Sequence, residues 1–178
     1  MSIEAEYLRV VKARFKSVKN LGDKAIEQLL EEDIHWALNE ESNSIAIIVS
    51  HLSGNMVSRW TDFLNSDGEK PFRNRDQEFV DHISSKAELL AISEVGWNTL
   101  FEALNNLSEK DLLKNINIRG QSHSVIEAIE RQLAHYAYHV GQIVYIGKQI
   151  KSENWESLSI PKGHSESFLQ EMLKKHQS

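Results

Sequence analysis

Cysteine is absent from all 178 residues. That excludes disulfides, thiolate metal ligands and a cysteine nucleophile on this chain. Proline occurs twice and glycine eight times, too few for collagen-like, low-complexity or turn-rich all-β architectures. No apolar run approaches the roughly 18 residues that a membrane-crossing helix requires. The first residues, Met1-Ser-Ile-Glu-Ala-Glu-Tyr7, are acidic and lack the apolar centre of a secretory signal, so a cytoplasmic location is expected. A basic stretch is missing too. The formal net charge is −6 and the Lys and Arg residues are scattered along the chain, which argues against a nucleic-acid partner.

What remains is 40% hydrophobic and 26% charged residues, the balance of an ordered globular protein, and the length suits one domain spanning residues 1–178. Recurrent Ala, Leu, Glu, Lys and Gln favour helix. The apolar spacing predicts a first helix over about Ile3 to Leu30, with Asn20-Leu-Gly-Asp23 as a bend or cap and His35 and Trp36 in a connector. A second helix is expected to start near Ser42 or Asn43 and to run to Phe63, a third to span Ser84 to Leu107, and a fourth Ser122 to Ile150. Ile116-Asn-Ile-Arg119 alternates, which marks a short strand or hairpin ended by Gly120. The tail carries a further helical turn or two.

The expected fold is all-α. Residues between Phe63 and Ser84 are turn-rich and form a long surface connection. It is long enough to travel back along a helix, so helices two and three are expected to be parallel in an up-down-down-up four-helix bundle, with helices two and four antiparallel.

His135 and His139 stand four apart on helix four, one turn apart on one face, the spacing by which two imidazoles reach one metal ion. The stripe continues through Gln132 and Gln142. The opposite stripe, Leu133, Ala137, Val140 and Val144, is apolar and needs cover, either from helix one or the tail or from a second copy of the chain. A third ligand is required, and His51 is the candidate. It sits on the core face of helix two, where a histidine is either hydrogen-bonded internally or a ligand. Three imidazoles without a fourth protein group would form an open site. Gln142 and Gln132 either orient a ring N–H or simply line the cavity. Asn55, one turn from His51, and Tyr138, beside the stripe, are further candidates for supporting hydrogen bonds. Glu127 and Glu130 fall off the stripe, and no general base is evident. Arg73, Arg75 and Lys70 in the long connection either meet an anionic substrate or pair with Asp76 and Glu78.

The segments Asn43-Ser-Ile-Ala-Ile-Ile-Val-Ser-His51-Leu-Ser-Gly-Asn55 and His135-Tyr-Ala-Tyr-His139-Val-Gly-Gln142-Ile resemble the DinB/YfiT-like superfamily, in particular an uncharacterised branch familiar from bacilli. Ser58-Arg-Trp60, Asp67-Gly-Glu-Lys-Pro71, Arg73-Asn-Arg-Asp76 and Ser159-Ile-Pro-Lys-Gly163 fit as well, so the resemblance covers nearly the whole chain. It implies an up-down-down-up bundle, often a homodimer, with a divalent metal on three histidines that map onto His51, His135 and His139. Zinc and nickel lead the candidate ions, with iron and cobalt behind. Relatives transfer low-molecular-weight thiols onto electrophiles, or hydrolyse or isomerise thiol adducts. The implied function is therefore a metal-dependent thiol S-transferase or hydrolase acting on a small molecule. The alternatives are a stress-related metal-binding protein without turnover and a dimeric interaction module with vestigial histidines.

Overall fold

The computed structural model describes residues 2–176. Five helices dominate it: α1 (Ile3–Glu27), α2 (Ile45–Trp60), α3 (Lys86–Asn106), α4 (Val125–Lys151) and α5 (Ser165–His176). A hairpin of β1 (Asn115–Ile118) and β2 (Gln121–Ser124) precedes α4, and 3-10 turns fill Glu32–His35, Asp76–Phe79, Glu109–Asp111 and Ser152–Asn154. No described helix is long and apolar enough to cross a membrane.

Serine starts each of the first four helices. Ser2, Ser44, Ser85 and Ser124 each accept a hydrogen bond from the backbone N–H three residues on, which satisfies one of the orphan donors of the first turn. The caps lie one or two residues beyond the predicted starts of α2, α3 and α4. Residues 122–124, read from sequence as the start of helix four, belong instead to the strand that pairs with β1. α1 runs without a break through the Asn20–Asp23 segment, where Gly22 is buried against Val140 of α4. The C-terminal turns extend to a helix of 12 residues.

α2 packs most extensively on α3, and α1 on α4, while α2 also meets α4 and the 3-10 turn Asp76–Phe79. Most of the apolar stripe of α4 is covered from within the chain, while Ala137 stays exposed. Val140 is buried, and Leu133 and Val144 pack against the same core. Of the covers expected for that stripe, helix one is the one observed, with Gly22 of α1 against Val140.

Phe15 of α1, Trp60 of α2 and Tyr136 of α4 form the aromatic centre. Phe15 meets Trp60 edge-on with centroids 6.1 Å apart and lies 6.0 Å from Tyr136. Trp60 Nε1–H donates to the Tyr136 hydroxyl (3.0 Å), which donates to Asn55 Oδ1 (3.0 Å). Burial pushes the Tyr136 hydroxyl well above its usual range, so it stays a neutral donor. This chain of bonds fixes the rotation of α4 about its axis. With Tyr136 turned into the core, the neighbouring His135 and the His139 one turn later face α2.

The long connection is not a loose surface loop. Asp67 accepts from the backbone N–H groups of Arg119 (2.8 Å) and Gly120 (2.7 Å) at the hairpin turn. Both turn residues have positive φ, 56° and 74°, the geometry of a tight two-residue hairpin loop and the reason glycine suits the second position. Gly68 N–H donates to Asn117 O (2.8 Å), and Ser58 Oγ both donates to Gly68 O (2.9 Å) and accepts from Lys70 N–H (3.0 Å). The connection is thus pinned to α2 and the hairpin, and its second half folds over α2.

Candidate metal centre

His51 lies at mid-length of α2, His135 and His139 on consecutive turns of α4. Their three ligand nitrogens lie within 4.8 Å of one another. His51 Nε2 stands 3.3 Å from His135 Nε2, and His139 Nε2 stands 3.1 Å from it. Nitrogens about 2.05 Å from a tetrahedral zinc ion stand about 3.3 Å apart, so these separations suit one shared cation.

The outer nitrogens settle the tautomers. His51 Nδ1–H donates to Glu78 Oε2 (3.0 Å), and His139 Nδ1–H donates to Gln142 Oε1 (2.8 Å). Both Nε2 atoms are then bare acceptors aimed at His135 Nε2. One N–H on His135 satisfies at most one of them, leaving a lone pair without a partner, whereas a cation at the centre satisfies all three. Burial, reinforced by the neighbouring imidazoles of His139 and His51, pushes His135 down to about 3, and burial also lowers His139. At neutral pH these two rings are uncharged, the form that binds a metal. The three histidines could hold a metal ion, and no fourth His, Asp or Glu joins the group among the described residues.

Glu78 is the residue that sequence reasoning missed in this role. It comes from the 3-10 turn of the long connection and is buried. Besides accepting from His51, it takes two bonds from Arg73, Nε–H to Oε1 (2.7 Å) and Nη2–H to Oε2 (2.8 Å). Burial opposes the charge of Glu78, but the Arg73 fork and His51 outweigh it and hold the carboxyl below its usual range. A carboxylate on the far nitrogen of a ligating imidazole fixes the ring and raises its basicity. Gly54 makes room for this, since a Cβ there would overlap the Glu78 carboxylate. Phe79 adds a ring against His51, centroids 4.9 Å apart. The only sequence hint was the pairing of Glu78 with Arg73, because nothing periodic links residue 78 to residue 51.

Glu78→Gln is expected to lower metal affinity about 10–100-fold, measured by competition with a chromophoric chelator. Unchanged affinity would remove Glu78 from this role.

The other candidates separate. Gln142 reaches the His139 ring. Gln132 is buried beside His135, and its Oε1 has no hydrogen-bond partner. Asn55 is spent on Tyr136 rather than on an imidazole. Tyr138 is 63% exposed, its ring edge-on to His139 at 5.0 Å, and it borders an outward groove with Trp36, Leu38 and Tyr145. Glu130 accepts from Tyr7 and Glu127 from His123. His123 is itself buried. Lys70 donates to Asp67 O (2.6 Å) and stays off the imidazoles.

The cluster opens into a cavity of about 180 Å³ lined by His51, Asn55, Gln132, His135 and five arginines.

A family model described as "Protein of unknown function (DUF1572)" matches residues 2–164. No curated protein matches the chain.

Proposed function

The chain belongs to the DUF1572 family, and from that premise we propose that it is a metal-dependent enzyme acting on a small molecule, a thiol S-transferase or hydrolase of the DinB/YfiT-like type. The observation that carries the reading is the convergence of three Nε2 atoms, 3.1 and 3.3 Å apart in sequence around His135, with two of them left bare by their outer hydrogen bonds. In this reading His51, His135 and His139 are the ligands of one divalent ion, zinc or nickel, within a single bundle of up-down-down-up order. The long connection of residues 61–85 is what allows α3 to run parallel to α2.

Such an ion would supply Lewis acidity, lowering the pKa of a thiol or water at its open position. The chain itself supplies orientation and shielding. Glu78 and Gln142 hold the outer N–H groups of His51 and His139, so neither ring can flip its donor inward. Phe79 covers the His51 ring and limits water there. Arg73 keeps Glu78 ionised. No free carboxylate touches the imidazoles among the described residues, so the thiol substrate has to bring its own reactivity and the protein needs no cysteine.

The runner-up is a metal-binding protein without turnover. Three protein ligands favour the enzyme, because structural sites usually close with four. The reading also takes the chain as a homodimer, as the resemblance implies, in a cytoplasmic setting.

Purified protein should carry close to one divalent ion per chain by elemental analysis, and sedimentation should give twice the 20.4 kDa of one chain. A screen of low-molecular-weight thiols against electrophiles, and of thiol adducts for hydrolysis, should find metal-dependent turnover. Bound metal without any turnover would favour the runner-up, and absence of metal after reloading would overturn both.

A further inference from the structure

The chain has seven arginines, and five of them, Arg59, Arg73, Arg75, Arg119 and Arg131, line a cavity that His51 and His135 also line. No lysine lines it, so the cavity is marked by planar guanidinium forks rather than by positive charge in general. In a chain of net charge −6 this concentration needs a reason.

The arginines come from four separate places. His51, Asn55 and Arg59 follow one another at four-residue steps along α2 and form one wall. Arg131 stands one turn before His135 on α4, Arg119 sits at the hairpin turn, and Arg73 and Arg75 descend from the long connection. Two form a floor: the side chains of Arg59 and Arg73 are 5% and 2% exposed. Arg75, Arg119 and Arg131 form an exposed rim.

Internal pairing does not exhaust them. Glu69 receives Arg59 (3.0 Å) and Arg119 (2.9 Å) and stands 3.5 Å from Arg73, while Glu78 receives Arg73. Asp67 is committed to the hairpin turn. The side chains of Arg75 and Arg131 make no hydrogen bond or ion pair among the described residues, although the Arg131 charge is felt by Glu127. Arg59 Nε is buried without a hydrogen-bond acceptor, Arg73 Nη1 has only the Glu69 carboxylate at 3.5 Å without a hydrogen bond, and Gln132 Oε1 is buried without a donor. Buried guanidinium N–H groups without acceptors are costly, and the ligand that relieves them is an oxyanion, which matches the fork in two points.

We propose that this cavity binds the anionic end of a small molecule, a carboxylate or phosphoryl group. The molecule's reactive end would then lie against the imidazole cluster. The second half rests on the function proposed above, whereas the anion site stands on the arginines alone.

The test is calorimetric titration of metal-stripped full-length protein with succinate and, separately, with inorganic phosphate. At least one should bind with a Kd below about 1 mM, and the arm that binds identifies the group. Arg131→Gln and Arg75→Gln, at exposed positions whose side chains make no hydrogen bond or ion pair among the described residues, should each weaken it about tenfold. Arg14→Gln, on the outside of α1, should leave it unchanged. His139→Ala, outside the cavity lining, should keep anion binding while losing metal, so failure of the metal reading and failure of the anion site are told apart. Neither anion binding, or equal weakening by Arg14→Gln and the two rim variants, would overturn the proposal.

Discussion

His135→Ala should lose metal affinity by more than about 100-fold, since even the outer partners of a ligating imidazole are worth roughly 10–100-fold. His135 is the hub: its Nε2 is the one atom within hydrogen-bond distance of both other Nε2 atoms, at 3.3 and 3.1 Å. The variant leaves His51 and His139 without a common neighbour, and two imidazoles on different helices make a poor site. The fold should survive. His135 is only half-buried, and its uncharged ring makes no hydrogen bond outside the cluster, so the metal-free variant should unfold at a denaturant midpoint close to that of metal-free parent. Elemental analysis and chelator competition measure the first effect, and denaturation the second. Full metal occupancy in the variant would refute the ligand assignment.

Phe15→Ala should show the opposite pattern. Phe15 is completely buried between Trp60 and Tyr136. Truncation removes a ring and leaves a cavity at the junction of α1, α2 and α4, costing about 3–5 kcal/mol. For a chain of this size that lowers the melting temperature by roughly 10 °C. The Trp60–Tyr136–Asn55 hydrogen bonds, which set the rotation of α4, remain. Metal stoichiometry at saturating ion should therefore stay at the parent level while thermal stability falls. If stability fell by less than 1 kcal/mol, on the scale of surface substitutions, the aromatic centre would not be the keystone described above.

The two variants divide the protein along the line between what could be read along the chain and what could not. The α4 pair and the placement of His51 on a core face were readable because a helix advances about 100° per residue, so spacing alone fixes which side chains share a face. The hairpin was readable from alternation and Gly120. The helix starts were off by one or two residues because several Ser and Asn residues compete for each cap, and the choice among them depends on what the preceding segment packs against.

Glu78 was not readable as the partner of His51. The two are 27 residues apart, and their meeting depends on how the connection returns over α2. The arginines make the same point more strongly. Along the chain they look scattered, at 59, 73, 75, 119 and 131, and the acidic net charge hides them. In space they share one cavity, because the Asp67 carboxylate holds the hairpin turn and Glu69 ties α2, the connection and Arg119 together.

The chain by itself determined the helical class, the facing stripes of α2 and α4 and the three candidate imidazoles, all consequences of local periodicity that each segment carries within itself. Only the tertiary structure decided that α1 covers most of the apolar stripe of α4, that Glu78 holds His51 and that five guanidinium groups converge beside the imidazoles. Those outcomes depend on hydrogen bonds and ion pairs between residues far apart in the chain, and on packing that selects one return path for a long connection among many of nearly equal local energy.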